Sequence, residues 1–291
     1  MIIAAANFDA HFFFHFVFHP THALLIGLVI TVVAAVIAEL VGTLLGTLSA
    51  LAGLSKGSVP RLLSSFYVWF FRGVPTLVQI FLVYFGLPAF LGMDPFPTDM
   101  SLGLVNVNGA IVAGVIALAV NEGAYMSEIV RAGILSVDQG QEEAALAVGM
   151  TRRMMMRRII LPQAARVIVP PLGNNFNNML KITSLLSVIG VQELFRVTQD
   201  TQAATFRTFE TYFGVALYYL ALVSVWSWIQ KMIERRLDVV GATERGRGRW
   251  FSLKATPIVP RTASRGTRRG GTPWRRWTTL RESGRTFDGE L

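Results

Sequence analysis

The sequence predicts an all-α membrane protein of about five transmembrane helices, with its N-terminus outside and its C-terminus inside. Three observations carry this. Of 291 residues, 52% are hydrophobic and 15% charged, which is too apolar for an ordinary soluble domain. Long runs such as 23–52 and 212–229 hold enough apolar residues to cross roughly 30 Å of hydrocarbon as helices. Basic residues cluster in alternate segments between the runs, which sets the orientation.

In chain order, the spans fall at about 23–52, 76–91, 109–130, 167–189 and 212–229. The segment before the first span has no Lys or Arg, and 92–108 has none either, carrying Asp94 and Asp99. The intervening segments hold Lys56, Arg61 and Arg72, then Arg131, Arg152, Arg153, Arg157, Arg158 and Arg166, then Lys231, Arg235, Arg236 and the tail. By the positive-inside rule the basic segments are cytoplasmic. The loop 191–211 balances Arg196 and Arg207 against Glu193, Asp200 and Glu210, which suits the outside.

Span 167–189 contains Pro170, Pro171, four Asn and Lys181. Such a segment has to face protein or a water-filled path, because lipid satisfies none of these groups. No internal repeat is visible, which weakens a carrier built from paired halves.

The domains divide as an outer, interfacial segment over 1–21, a transmembrane domain over 22–238, and a basic tail over 239–291. From Gly241 onward there are 12 Lys or Arg against four Asp or Glu, so +8 of the net +9 lies in the tail. The tail is rich in Arg, Gly, Thr, Ser and Pro and is expected to be disordered or laid on the inner leaflet. The high pI describes this tail and not a nucleic-acid-binding core. The first 20 residues have no Lys or Arg, so no cleaved signal is expected and the first span acts as its own anchor. With no cysteine, disulfides and thiolate metal sites are excluded.

The most informative stretch is the cytoplasmic loop 141–162. It reads as a helix, a Gly break and a second helix. Glu142 and Glu143 favour a helix N-terminus through the dipole. The turn with Ala144 and Ala145 leaves small side chains that another backbone can approach. Gly149 supplies a left-handed or crowded position where the helix ends, and Pro162 opens the next one.

Glu143-Ala144-Ala145, three residues, Gly149, nine residues, then Ile159-x-Leu161-Pro162 resembles the permease signature of ABC importers. The Arg72–Gln79 and Asn121–Arg131 stretches, Lys181-Ile182-Thr183-Ser184-Leu185, and Gln192-Glu193-Leu194 look like the branch of that family that takes up polar amino acids. The resemblance implies the type I ABC importer permease fold and localisation in the bacterial inner membrane. It implies that 141–162 is the coupling helix that sits in a groove of an ATP-binding subunit. It further implies a second permease protomer, identical or sister, and an extracytoplasmic amino-acid-binding protein. ATP is then bound by partner subunits, and the chain itself is no enzyme and needs no cofactor. Many relatives have an acidic or small polar residue where this chain has Ile182, so no single relative's cargo is carried over.

Intramembrane ionisable groups are default functional candidates. Glu39, Glu122, Glu128 and Lys181 qualify. Glu128 and Arg131 are three apart on a helix and pair structurally. Glu122, Tyr125, Asn175, Asn178, Lys181 and Thr183 form the candidate substrate path, where a cargo ammonium and carboxylate have to be met; interhelical hydrogen bonding is the alternative role. Lys181 either faces a substrate carboxylate or neutralises a buried acid. Glu39 is unassigned, with a partner subunit as one candidate contact. Gly42 and Gly46 form a small-xxx-small face for helix packing, and Arg72 anchors at the inner headgroups while Pro75 takes a first-turn position.

His11, His15 and His19 share one helical face, a spacing that can ligate zinc. The interleaved Phe12, Phe13, Phe14, Phe16 and Phe18 point instead to an interfacial segment at the outer leaflet, so no metal site is assigned.

Two other classes fit the sequence less well. An autonomous channel or ion-coupled carrier would use the intramembrane acids and Lys181 as a relay, but has no use for an ATPase-docking loop. A membrane-anchored interaction protein would need only the basic tail. No Gly-x4-Gly-Lys-Ser/Thr loop occurs, so the chain is not the phosphate-binding partner itself.

Overall fold

The computed structural model describes residues 8–98, 100–102 and 105–236. The basic tail 239–291 lies outside the described residues, as does the beginning of the 1–21 segment.

Among the described residues, three helices are long and apolar enough to cross a membrane: α2 (His22–Gly53), α6 (Gly109–Leu135) and α11 (Thr208–Arg236). At 1.5 Å per residue, the 32 residues of α2 extend about 48 Å, well beyond the hydrocarbon core. Thr21 caps its N-terminus, accepting from the Leu24 amide at 3.2 Å, and Asn108 caps α6 by accepting from Ala110 at 2.8 Å.

A fourth candidate crossing is a bent pair. Helix α3 (Ser58–Gly73) meets α4 (Thr76–Phe81), which a π turn over Leu82–Gly86 extends into α5 (Leu87–Leu91), with a bend of 106°. Thr76–Leu91 matches the span expected at 76–91, and the basic segment ahead of it is helical as α3. The apolar signal for α3 is present in Leu62, Leu63, Phe66, Trp69 and Phe70, which recur at helical spacing between Arg61 and Arg72. Pro75 is the cap residue just before α4 and not its first turn.

The bend leaves carbonyls without helical partners, and polar side chains satisfy them. Gln79 Nε2 donates to the Phe71 and Val74 carbonyls, each at 2.8 Å. Asn121 Nδ2 on α6 donates to Phe71 O at 3.2 Å.

Segment 167–189 is helical, as α9 (Leu161–Ile182) followed by a 3-10 stretch over Thr183–Ile189. It falls short of the apolarity of a span, so the described residues hold three spans, or four if the bent pair is one. Helix α11 packs along one side of it, where Trp226 Nε1 donates to Gly173 O at 2.8 Å and Gln230 Nε2 to Pro170 O at 3.2 Å, while Asn174, Asn178 and Lys181 are exposed.

The core forms where α2 and α6 lie side by side, with Ala34, Ala35, Ala38, Leu118, Phe176 and Leu186 buried among them. A Cβ on Gly42 would stand 2.7 Å from Glu122 Cβ, and one on Gly46 would stand 2.7 Å from Gly123 O. The small face of α2 therefore packs onto α6, as expected of it.

At the opposite end from the 141–162 loop, α1 (Ala10–Phe18) and α10 (Leu194–Thr205) pack on α11 and α2 through Phe16, Leu24, Leu194, Val197 and Val215. Asp9 caps α1, accepting from the Phe12 amide at 2.9 Å, and pairs with Arg207. Its own amide donates to Glu210 Oε1 at 2.8 Å. A two-stranded hairpin, β1 (Met100–Leu102) and β2 (Val105–Val107), pairs antiparallel with Met100 opposite Val107. His11, His15 and His19 are exposed on α1, with the His15 and His19 rings 5.4 Å apart.

Candidate functional site

Two places concentrate polar chemistry and exposed specificity. The first is the loop. Helix α7 (Gln139–Ala147) begins at Asp138, whose carboxylate accepts from the Gly140 amide at 2.6 Å. It ends in a Schellman arrangement: the Gly149 amide donates to Leu146 O and the Met150 amide to Ala145 O, each at 3.0 Å. Gly149 has φ +81°, and a Cβ there would meet nothing within 4 Å. Backbone conformation alone, not crowding, demands glycine at this position.

The motif residues divide by burial. Ala145 is buried against Met155 and Ile160, with Ile134, Val137, Met150 and Ile159 around them. This cluster roots the loop on α6 and on α8 (Arg152–Met155). Glu143, Ala144, Gly149, Leu161 and Pro162 are exposed, as are Leu146 and Val148, the latter 78% exposed. An anchored helix thus offers an apolar tip beside a carboxylate, the character of a docking element. From α8 the chain runs through a π turn over Met156–Ile160 into α9, so Pro162 lies at the head of α9 but does not begin a separate helix.

The second place lies between α2, α6 and α9. Asn175 Nδ2 donates to Glu122 Oε1 at 2.9 Å, joining two of the six proposed path residues. Glu39 stands one helical turn from Gly42 on the same buried face of α2, the face that packs against Glu122. Tyr125 is exposed and stacks under Arg72, whose Cζ is 5.5 Å from the ring centroid. Asn178 is exposed as well.

Lys181 and Thr183 do not join this group. Lys181 lines a separate pocket with Ser184, Phe195, Tyr212 and Tyr219, on the side of α10 and α11. Thr183 is buried and donates to Leu180 O at 2.9 Å, an intrahelical bond. Glu128 and Arg131 pair at 2.9 Å as expected.

Glu193 is a polar centre that sequence reasoning passed over. It is 0% exposed and caps α10, accepting from the amides of Phe195 at 2.9 Å and Arg196 at 2.7 Å. Tyr219 Oη donates to it at 3.2 Å, and the Thr31 hydroxyl lies 3.4 Å away. Burial pushes its carboxyl up to about 7 against the opposing pull of these donors. The signal available in the sequence was a Glu directly ahead of an apolar-periodic helix, a cap position.

A bundle of apolar spans with buried acids and amides, a bent helix pair closed by side chains, and a rooted helical loop at one end defines a membrane transport subunit. The chain belongs to the family described as the binding-protein-dependent transport system inner membrane component, whose model matches residues 42–239. It is therefore a permease subunit of such a system.

Its relatives include a probable amino-acid permease protein, YxeN, of Bacillus subtilis, 43% identical over 190 residues, covering 65% of this chain and 80% of that one. The L-cystine transport system permease protein TcyB of the same organism is 43% identical over 192 residues, 65% of this chain and 76% of that one. The glutamine transport system permease protein GlnP of Escherichia coli is 38% identical over 196 residues, with shares of 65% and 83%. Among solved structures, an amino acid ABC transporter crystallised with histidines is 40% identical, with a TM-score of 0.66 over 75% of this chain and 95% of that one. The MetNI methionine transporter, at 17% identity and a TM-score of 0.58 over 74% of this chain and 95% of that one, shares the fold.

Proposed function

We propose that this chain is the permease of an ATP-driven importer of polar amino acids in a bacterial inner membrane, oriented with its N-terminus outside and its C-terminus inside. Two protomers, identical or sister, enclose the path, an external binding protein delivers the amino acid, and separate subunits bind and hydrolyse ATP. The observation that carries the reading is the α7 loop. It is rooted by Ala145 in a small core, closed by Gly149 in a left-handed turn, and presents Glu143, Leu146 and Val148 outward. A helix held this way transmits a push from a docked ATPase into α6 and α9, to which it is joined at both ends. The basic segments that flank it support a cytoplasmic location.

The chain's own chemistry is differential binding in two conformations, not bond making. For cargo, the Glu122–Asn175 pair suits an ammonium group, and the relatives named for L-cystine and glutamine support polar amino acids as the class. Lys181, in its aromatic pocket, would meet a carboxylate only on the far side of α9 from Glu122.

The test is to purify the chain with its co-expressed ATPase subunit and replace Val148 by Asp or Glu143 by Ala. Loss of co-purification or of stimulated ATP hydrolysis is expected. Undiminished complex formation and stimulation in both variants rules the coupling role out.

A further inference from the structure

Glu39 is the least explained group in the molecule. It is only 5% exposed, in the middle of the most apolar of the candidate spans, and neither carboxylate oxygen has a hydrogen-bond partner among the described residues. Gly42, one turn further along α2, packs against another acid, Glu122 of α6. Among the described residues, the elements around it offer no cation. On α6 stand Glu122 and Asn121. On α3, the Tyr67 hydroxyl is committed to Val120 O at 2.6 Å. On α9, Asn175 is committed to Glu122, and Lys181 lies in the pocket toward α10 and α11.

An ionised carboxylate without partner in a dry interior is costly enough that the group takes up a proton instead. Two carboxyl groups that share such a site do not both ionise. Of the two, Glu122 has the stabilised anion, because an amide N–H donates to it and Glu39 has no donor.

We propose that Glu39 is held as the neutral acid beside an ionised Glu122, so that the pair carries a single negative charge and serves as the positioning element for the cargo's ammonium group. Glu39 acts through Glu122 and does not touch the cargo. With one charge the site attracts a cation; with two, α2 and α6 would be forced apart where Gly42 leaves no slack. The proposal rests on the reading of Glu122 and Asn175 as the cargo contact, and it fixes the charge that contact presents.

The experiment is infrared difference spectroscopy on the whole importer in lipid at about pH 8, roughly 4 units above an ordinary glutamate. Wild type minus Glu39→Gln is expected to show the carbonyl stretch of a protonated carboxyl, shifted in D2O, and Glu122→Gln is expected to move that band. Absence of any protonated-carboxyl signal from Glu39 overturns the proposal, whether because Glu39 is ionised or because an inorganic cation neutralises both acids. As a second readout, amino acid uptake by wild type falls several-fold on the alkaline side as Glu39 loses its proton, and Glu39→Gln lacks that limb. An alkaline limb that persists unchanged in Glu39→Gln overturns the assignment too. The two readings separate cleanly: if Glu122→Gln leaves uptake intact, the cargo contact is wrong, while the infrared band still reports on the pair.

Discussion

Gly42 of α2 lies against Glu122 of α6 so closely that an added methyl would stand 2.7 Å from Glu122 Cβ and 3.0 Å from the Ala119 carbonyl. The contact is where α2 and α6 meet at the candidate cargo site. Gly42→Ala is expected to lower stability by about 1–3 kcal/mol through overpacking. Gly73→Ala, where a Cβ meets nothing within 4 Å and the residue ends a helix, is expected to be neutral or to stabilise by about 0.5–1 kcal/mol. Thermal unfolding of the purified protein in detergent measures both, and equal losses would contradict the packing account.

At Gly149 the cost of substitution is conformational. A residue with a Cβ in the left-handed region is disfavoured by about 1–2 kcal/mol, with Asn tolerated best. Substrate-stimulated ATP hydrolysis should therefore fall in the order Gly, Asn, Ala, Val. An effect of Asn as large as that of Val would mean that something other than φ selects glycine.

The pH response of the α10 end follows from Glu193. Its carboxyl is raised from 4.5 to about 7 by burial, so the fold favours the neutral acid. The stabilisation is complete below about 4.5, is lost as pH rises through about 7, and amounts to on the order of 3 kcal/mol. Thermal midpoints are expected to decline between these pH values in wild type and to decline less in Glu193→Gln. A wild-type midpoint that rises over this window would show that the donors around Glu193 outweigh its burial.

Removing the charge at Glu122 is expected to spare assembly and impair transport. A hydrogen bond to a charged group contributes about 1.5–3 kcal/mol, so Glu122→Gln should reduce uptake about tenfold or more while the ATPase subunit still co-purifies. Loss of the complex instead would make Glu122 a structural residue.

Much of this was legible because hydrocarbon imposes simple rules. The apolar runs located α2, α6 and α11, and the spacing of Glu143, Ala144, Ala145, Gly149, Ile159, Leu161 and Pro162 located a helix that ends at a left-handed glycine. Helix α3 was missed because its basic ends read as a loop, although Phe66 and Trp69 belong to a helical stripe. The neighbours of Glu39 and Glu193 were not legible, because which helix faces which is decided by contacts such as Gly42 on Glu122 and Gly27 on Glu193, between residues far apart in the chain. For the same reason, Lys181 and Glu122 fell into one predicted path although α9 sends them to different surroundings.

The central claim is that an ATPase drives this permease through the α7 loop. Labelled amino acid uptake into proteoliposomes holding the complete importer tests it most directly. Uptake is predicted to require ATP and the external binding protein and to be lost in Gly149→Val; uptake that proceeds on an ion gradient without ATP, and survives that substitution, would contradict it.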